Sequence, residues 1–331
     1  MTRVVAFGGG HGLGACLRAL RACQARLPGL EITAVVTVGD DGGSSGRLRA
    51  QRGALPPGDL RKALAALAAD DPASTTTAEL FEHRFPPVAA GPGRAAGAAP
   101  GADPLAGHPV GNLLLCGLME LLGDPVAALE HAAGMVRAAG RVLPMSREPV
   151  AIEAAVRGAD PARPDAVLTV RGQHEVAVSP GRVERVRLDP ARPPACREAL
   201  AAIAAADWLV FGPGSWYTSV IPHLLVPELV TAIVAGPARR LVILNLTVEP
   251  ETAGLTVPAH LTALGSYAAG LKVDLVLADA GWVPDPEPVR RAAATLGAEL
   301  LLARLTDQHR QPLHHPAALA GALLPVLADT R

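Results

Sequence analysis

The sequence predicts an α/β fold of the Rossmann-like, doubly wound kind, with a mainly parallel sheet. Its strand candidates, such as residues 32–38, are continuous apolar runs rich in β-branched residues, which is typical of strands buried on both faces. They alternate with helical patterns over most of the 331 residues, and several end in a glycine-rich loop. In such sheets, ligands bind outside the carboxyl ends of the strands.

Composition narrows the classes of function. The net charge is −1 and only 3% of residues are aromatic, so neither electrostatic capture of nucleic acid nor a basic membrane patch is indicated. No apolar run reaches the length of about 18 residues that a membrane span needs, and the chain enters a strand without a signal-peptide pattern. The widely spaced cysteines favour buried free thiols. We expect a cytoplasmic protein with no nucleic-acid partner and no membrane insertion.

The first strand candidate, residues 3–7, runs into a glycine loop that opens a helix. Backbone N–H groups at the start of a helix attract anions, so this loop is a candidate phosphate site. A short-chain dehydrogenase is excluded because neither Tyr217 nor Tyr267 has a lysine four residues later. A Walker A loop is excluded because no lysine follows the glycines. The candidate residues here are Gly8, Gly9, Gly10, His11 and Gly12.

The densest polar stretch follows the strand candidate at 32–38. Its chemistry suits a phosphorylated ligand with a divalent cation, because it combines carboxylates, hydroxyls and a guanidinium with glycines that permit close approach. A plain turn in which one aspartate caps a helix is the structural alternative. Residues 42–46 also match the G-x-S-x-G pattern of a serine nucleophile, although the sequence alone sets no histidine beside it. The candidate residues are Asp40, Asp41, Ser44, Ser45 and Arg47.

The next segments supply three further candidates. Asp59 fits the N-cap of a helix through residue 69, and Arg61, one turn in, can reach a phosphate at that helix start. A second helix is expected at 77–85, followed by a mobile Pro/Gly/Ala-rich loop at 86–107. His108 and Asn112 open the following apolar helix, either as ligand contacts or as satisfied structural groups. Asp124 should cap the helix after that.

Residues 141–190 change character, with short alternating runs between glycines and prolines. We predict antiparallel strands there, including 141–146 and 174–179, as an insertion in one domain that spans residues 1–331.

The α/β alternation then resumes with a helix at 195–206 and a strand at 207–211. A second glycine loop follows that strand, and a third polar exit follows the strand at 241–244. These exits would line one crevice with the earlier loops, although Ser215 and Thr218 also fit plain helix caps. Strands at 273–278 and 300–305 and helices at 287–296 and 316–327 complete the domain. The candidate residues are Gly212, Pro213, Gly214, Ser215, Thr218, Asn245 and Glu251.

Taken in order, seven segments resemble the bacterial gluconeogenesis factor (YvcK-like) family over nearly the whole chain. They read FGGGHGL, VVTVGDDGGSSGRLR, GDLRKAL, LFEHRF, LAGHPVGNLLLCGL, VFGPGSWYTSVIPHLLVPEL and ETAG. That family is related to the 2-phospho-L-lactate transferases of the CofD type. The resemblance implies a Rossmann-like single domain that binds a UDP-sugar such as UDP-N-acetylglucosamine. It also implies a role in carbon metabolism, cell-wall morphogenesis and cell shape, with no firm enzymatic activity.

Carried over to this chain, the resemblance makes residues 8–12, Asp40, Asp41, Asn112 and residues 212–215 the nucleotide-contacting positions. The chain also departs from the family pattern at three positions. His11 replaces a threonine whose hydroxyl can contact phosphate, and Leu255 stands where an aromatic residue is frequent. Gly39 is closer to the transferase version.

The sequence therefore predicts a nucleotide-sugar-binding regulatory protein that forms a homo-oligomer and has no demonstrable activity. Its partner would be a nucleotide sugar or another phosphorylated small molecule. The alternative is a Mg²⁺-dependent transferase of a phosphate-linked group. The sequence identifies no cofactor with certainty, and Mg²⁺ at Asp40 and Asp41 is the one candidate.

Overall fold

Strands and helices alternate along the computed structural model, which describes residues 1–86, 103–246, 252, 255–306 and 313–329. A π-helical turn at Trp216–Val220 precedes α9. The elements are β1 (Thr2–Gly8), α1 (Gly10–Gln24), β2 (Leu30–Val36), α2 (Gly43–Arg52), α3 (Pro57–Leu67), α4 (Pro72–Glu82), α5 (Val110–Leu122), α6 (Pro125–Met135), β3 (Arg141–Pro144), β4 (Ala151–Arg157), β5 (Val167–Arg171), α7 (Gln173–Val178), β6 (Arg182–Asp189), α8 (Arg197–Ala204), β7 (Trp208–Phe211), α9 (Pro222–Leu225), α10 (Pro227–Ala235), β8 (Arg239–Ile243), α11 (Val257–Tyr267), β9 (Leu275–Asp279), α12 (Glu287–Thr295), β10 (Glu299–Ala303) and α13 (Pro316–Ala328).

The main sheet has, within the described residues, seven strands in the order β10-β9-β8-β7-β1-β2-β3. Every neighbouring pair is parallel. All four residues of β7 are buried, as expected for a central strand covered on both faces. Phe7 and Phe211, paired across β1 and β7, stack with ring centroids 5.2 Å apart. The predicted parallel α/β fold is therefore confirmed.

The order of the strands reverses at β1. From β1 the chain proceeds to β2 and β3 on one side of the sheet, whereas β7 to β10 occupy the other side. The loops after β1 and β7 thus leave neighbouring strands at the same edge. In doubly wound sheets, this switch point is where a crevice for ligands forms.

A second sheet is antiparallel and, within the described residues, has three strands in the order β5-β4-β6. The predicted antiparallel insertion is thus present, but two segments that were predicted as its strands are not part of that sheet. β3 pairs in parallel with β2 at the edge of the main sheet. Residues 174–179 fall mostly in helix α7, a segment too short for its hydrophobic period to separate helix from strand.

The first residues of three helices can be compared with the caps and starts that the sequence predicted. Asp124 caps α6 as predicted, because its carboxylate accepts a hydrogen bond from Val126 N at 2.8 Å. The N-cap prediction for Asp59 was wrong, since α3 begins at Pro57 and Asp59 is its third residue. Proline suits that first position because its φ is already helical. Helix α4 begins at Pro72 and not at residue 77, with Asp71 as its cap.

Two further expectations concern the cysteines and the membrane. All four cysteines are buried free thiols, as predicted. Burial raises the pKa of the Cys16 thiol to about 12, which keeps it protonated and unreactive. No helix in the described part of the chain is long and apolar enough to cross a membrane.

Candidate functional site

Two glycine loops meet at the switch point of the sheet. Residues 8–12 join β1 to α1, and residues 212–215 follow β7. A Cβ on Gly12 would overlap the carbonyl oxygen of Pro213 and come within 2.8 Å of Gly214 Cα. The loops therefore pack backbone against backbone, an approach that only glycine permits. Both loops lead into helical turns, whose free N–H groups are suited to binding anions.

Asn245 holds the second glycine loop from the neighbouring strand. Gly214 N donates to Asn245 Oδ1 at 2.8 Å, and Asn245 Nδ2 donates to Gly214 O at 2.8 Å. This two-way pairing fixes the orientation of the amide, because each of its atoms has a partner of only one kind. The exits of β1, β7 and β8 are thereby joined into one surface, as the sequence predicted for these loops.

The two aspartates of the acidic loop face different neighbours. Asp40 Oδ1 accepts a hydrogen bond from Gly42 N at 3.0 Å, and its other oxygen lies against the start of α3, near Gly58. Asp41 Oδ1 accepts from His174 N at 3.0 Å, in the first turn of α7. Asp41 thus connects the loop to helix α7, which lies between strands β5 and β6 of the antiparallel insertion. The use of both carboxylates by one metal ion stays a prediction.

Asp59 lies in the site although the sequence indicated only a helix cap. It is 3% exposed, and Lys62 Nζ is 3.3 Å from its Oδ1. Thr37 Oγ1 donates to its Oδ2 at 3.4 Å. A Cβ on Gly9 would lie 2.5 Å from Asp59 Oδ2 and 2.6 Å from Thr37 Oγ1, so this carboxylate packs against the first glycine loop. The signal in the sequence was the Asp59–Lys62 spacing of three residues on a helix.

Burial and the charge of Asp59 raise the pKa of Asp40 above its ordinary value, although hydrogen bonds from Gly42 and Ser45 oppose the shift. A carboxyl group with a raised pKa in the folded state loses its stabilising contribution as the pH rises through that pKa. We therefore expect Asp40→Asn to leave the free energy of unfolding unchanged or higher at pH 7.5. The difference from wild type should shrink toward pH 4, as the wild-type carboxyl group takes up its proton.

Urea denaturation at both pH values measures this, with Asp41→Asn as the matched control for losing a carboxylate in the same loop. Asparagine caps a helix about as well as aspartate, so the control should change stability by less than about 1 kcal/mol. A clear destabilisation of Asp40→Asn at pH 7.5 would contradict the expectation.

A chain of hydrogen bonds runs from α4 to the segment before α5. Arg61 Nε and Nη2 donate to the Glu82 carboxylate at 3.1 and 3.2 Å, and Arg61 Nη1 donates to Asn112 Oδ1 at 3.0 Å. Asn112 Nδ2 donates to Ser44 Oγ at 2.9 Å, and Ser44 Oγ lies 2.8 Å from His108 Nδ1. Four residues that the sequence predicted separately are thus brought together. Arg61, Ser44, Asn112 and His108 are all less than one-tenth exposed.

The alternative that Ser44 is a catalytic nucleophile requires a histidine beside it and a strained turn that holds it. His108 lies beside Ser44, but the strained turn is absent. Ser44 is the second residue of helix α2 and lies eight residues after the last residue of β2. A nucleophile elbow instead holds its serine in a strained turn directly between strand and helix. Ser44 therefore serves better as a link between Asn112 and His108. Its neighbour Ser45 accepts a hydrogen bond from Gly58 N at 3.0 Å and joins α2 to α3.

Two cavities flank the glycine loops. One, of about 330 Å³, lies at the end of β8. The other, of about 350 Å³, lies between α1, α3 and α4. The first is mostly apolar and is lined by Trp216, Leu244, Asn245, Leu246, Val257, His260 and Trp282. The second is charged and includes His11, Arg18, Lys62, Glu79 and Glu82. The positive charge of Lys62, together with burial, lowers the pKa of His11, which favours its neutral form.

The remaining predicted residues differ in their surroundings. Arg47 is exposed and donates to Ala106 O at 3.0 Å. Thr218 is buried in the π-helical turn. Ser215 precedes that turn, but within the described residues its side chain makes no capping hydrogen bond. The alternative that Ser215 is a helix cap was therefore wrong. Glu251 and residues 87–102 of the predicted mobile loop lie outside the described residues.

Comparison with known proteins shows the family to which the chain belongs. The sequence profile of the family described as 2-phospho-L-lactate transferase CofD matches residues 4–302. A Mycobacterium tuberculosis protein that carries the gluconeogenesis factor name is 49% identical over 329 residues, which cover 98% of this chain and 90% of the relative. The gluconeogenesis factor of Bacillus subtilis is 34% identical over 284 residues, which cover 86% of this chain and 80% of the relative.

A solved structure extends the similarity to three dimensions. The crystal structure of a Bacillus halodurans protein of the UPF0052 family superposes with a TM-score of 0.80 at 31% identity, covering 98% of this chain and 100% of the other. The predicted resemblance is therefore confirmed. The chain belongs to the CofD family and, within it, to the proteins named gluconeogenesis factors.

Proposed function

We propose that this protein binds a nucleotide sugar across the carboxyl ends of its parallel strands and acts as a regulator of the gluconeogenesis factor type. The observation that carries the proposal is the succession of polar or glycine-rich loops after four adjacent strands, β8, β7, β1 and β2. Neighbouring strands lie about 4.8 Å apart, so these exits span roughly 14 Å. A ligand with a base, two phosphates and a sugar is long enough to reach both ends.

The apolar cavity after β8 suits the nucleobase. Trp282 is 46% exposed at this cavity and offers a ring face for stacking. His260 Nδ1 lies 3.0 Å from Thr256 O, and burial lowers the pKa of His260, so the neutral ring donates through Nδ1 and keeps Nε2 as an acceptor. Trp216 Nε1 and His260 Nε2 are both buried without a hydrogen-bond partner among the described residues. The cavity therefore combines an exposed indole face with a mostly apolar lining, which suits a nucleobase.

The two glycine loops suit the diphosphate. Free N–H groups at the start of α1 favour negative charge, and Lys62 and Arg18 border the first loop. Gly214 is held by Asn245, so the second loop presents its backbone without rearrangement. Pre-organisation of this kind lowers the entropic cost of binding.

Binding of UDP-N-acetylglucosamine tests the proposal. We expect micromolar or tighter affinity by calorimetric titration, and native mass spectrometry of freshly purified protein should show a retained nucleotide. The same spectrum tests the expected homo-oligomer. Trp282→Ala should weaken binding at least tenfold, about 1.4 kcal/mol, by removing the stacking face.

Trp282→Phe retains a ring face and serves as the matched control, with an expected loss of less than about threefold. Absence of binding for UDP-N-acetylglucosamine and its close relatives at millimolar concentration would overturn the proposal.

The second candidate function is Mg²⁺-dependent transfer of a phosphate-linked group, and the Asp40–Asp59 region supports it. No group of three His, Cys, Asp or Glu side chains in the described residues is arranged for a metal ion. Mg²⁺, however, commonly takes only one or two carboxylates together with substrate phosphates. Asp40, Asp59 and Thr37 offer oxygen ligands of the right kind. Burial and, after it, the charge of Asp59 raise the pKa of Asp40, and a cation between the two carboxylates would relieve their repulsion. Bound there, Mg²⁺ would neutralise charge on the phosphates.

A turnover assay with nucleoside diphosphate conjugates and Mg²⁺ separates the two candidates. Transfer by the wild type that Asp40→Asn abolishes would favour the transferase. If the wild type binds the conjugate but forms no more product than Asp40→Asn does, the regulatory function is supported and the transferase is not.

A further inference from the structure

We propose that two copies of this chain pair through the outer edge of β10, the last strand of the main sheet, so that their two sheets join into one across a twofold axis. The partner is a second copy whose β10 runs antiparallel to the first. This inference goes beyond the proposed function, because it assigns an interaction surface that needs no ligand. In the joined sheet the strands of the two copies run in opposite directions, so their ligand crevices open at opposite edges.

The two edge strands of the main sheet, β3 and β10, differ in how well they are covered. β3 is buried except for its first residue, and it ends at Pro144, which has no N–H to donate to a further strand. Just beyond it, Met145 O accepts a hydrogen bond from Cys196 N at 3.1 Å, so a segment of the same chain lies beside that end of the sheet. No residue of β10 is buried, although three of its five residues are leucine. The open edge of the sheet is therefore that of β10.

Backbone N–H and C=O groups point outward from β10. Glu299 N donates at 3.1 Å to the residue before β9, and Ala303 O accepts at 2.9 Å from the residue after β9, so the odd-numbered residues of β10 bond to β9. Because alternate residues of a strand direct their N–H and C=O groups to the same side, those of Leu300 and Leu302 face away from β9. Within the described residues, these outward groups make no hydrogen bond, and β10 pairs with β9 alone.

The middle of β10 carries none of the usual protections of an edge strand. Natural proteins guard an exposed edge with lysine, proline or a bulge. Residues 300–302 are consecutive leucines, each partly exposed, and their register with β9 is unbroken. Charged residues occur only at the ends, with Glu299 first in the strand and Arg304 just after it. An apolar edge with unused N–H and C=O groups is suited to the addition of another strand.

The β10 edge is complementary to itself. In an antiparallel pair centred on Leu301, Leu300 of one copy lies opposite Leu302 of the other, and these are the residues whose N–H and C=O groups face outward, so they form hydrogen-bonded pairs. Leu301 then lies opposite Leu301 of the other copy in a non-hydrogen-bonded pair, where side chains are closest. The same pairing brings the Glu299 end of one strand beside the Arg304 end of the other. Hydrogen bonds, leucines and charges thus agree on one twofold register, which favours a second copy as the partner.

Leu302→Pro tests the pairing. The proline removes an N–H that faces outward and therefore spares the hydrogen bonds to β9, and edge strands tolerate proline. We expect wild-type protein to form a dimer at micromolar concentration in sedimentation equilibrium, and Leu302→Pro to raise the dissociation constant of the dimer at least tenfold. Leu302→Val keeps the N–H and is the matched control, with the dimer retained. A wild-type protein that stays monomeric would overturn the inference, as would a dimer that Leu302→Pro leaves unchanged.

Leu301→Cys gives a second measurement, which decides the inference if Leu302→Pro fails to fold. The non-hydrogen-bonded pair places the two Cα atoms about 4.5 Å apart, a distance that a disulfide can span. We expect mild oxidation to give a covalent dimer in non-reducing gel electrophoresis. Leu121→Cys, at a leucine that is 79% exposed in α5, is the control and should give at least tenfold less. The four native cysteines are buried and should not react. Equal yields from the two variants would overturn the inference.

Discussion

Replacing Gly12 with alanine is expected to reduce nucleotide-sugar binding at least a hundredfold, about 2.7 kcal/mol. The added methyl group would overlap the carbonyl oxygen of Pro213, which is backbone and has no rotamer to escape into. The two glycine loops would have to separate, which misaligns the N–H groups that face the phosphates. Overpacking of this kind also costs about 1–3 kcal/mol of stability. Calorimetric titration and urea denaturation measure the two effects.

Gly321→Ala is the matched control, because Gly321 lies in helix α13 and a Cβ there meets no atom within 4 Å. Alanine is a better helix former than glycine, so this variant should be as stable as wild type or more stable by up to about 1 kcal/mol, with unchanged binding. Wild-type affinity in Gly12→Ala would show that the contact between the loops is not needed for the ligand.

Replacing Arg61 with methionine is expected to lower stability by about 2 kcal/mol or more. Arg61 is 3% exposed, and its guanidinium is the donor to the buried Asn112 carbonyl oxygen. Methionine fills a similar volume but leaves that oxygen unsatisfied, at about 1–3 kcal/mol. It also frees the Asn112 amide to rotate, so the direction of every later hydrogen bond is lost. Chemical denaturation of the two proteins measures this difference in stability.

Glu82→Gln separates the ion pair from the rest of the chain. The Glu82 side chain is 46% exposed, so its pairing with Arg61 should contribute less than about 1 kcal/mol, and binding should change little. If Glu82→Gln destabilises the protein as much as Arg61→Met does, the ion pair and not the Asn112 link holds this region together.

The sequence predicted the fold well where a local pattern and the three-dimensional environment agree. Continuous runs of β-branched residues correctly predicted the central strands. A strand that is buried on both faces is apolar along its whole length, so its pattern is easy to recognise. Glycine loops at strand exits converged because parallel strands bring their carboxyl ends to one edge. Asp124 was recognised as a cap because aspartate followed by proline is a local signal.

The errors arose where distant residues decide the structure. β3 is a strand of the main sheet because β2 offers a free edge, which no property of residues 141–144 reveals. α7 begins beneath the carboxylate of Asp41, a residue that lies 133 positions earlier in the chain. Asp59 was predicted only as a helix cap. Its burial against Gly9 and Thr37 could not be recognised, because both residues are remote in sequence. The proximity of Ser44 and His108 was likewise hidden by their separation of 64 residues.

The hydrogen bond between Asp41 and His174 has a consequence for protein engineering. An inserted sheet of this kind is usually a module that can be trimmed or exchanged without disturbing the host domain. Here the acidic loop of the host depends on a backbone amide of the insertion for its conformation. A truncated chain that lacks residues 151–189 would lose the anchor of Asp41 together with buried side chains, such as Ile152 and Val186, that belong to the common core. The minimal unit for crystallisation or transplantation therefore includes the inserted sheet.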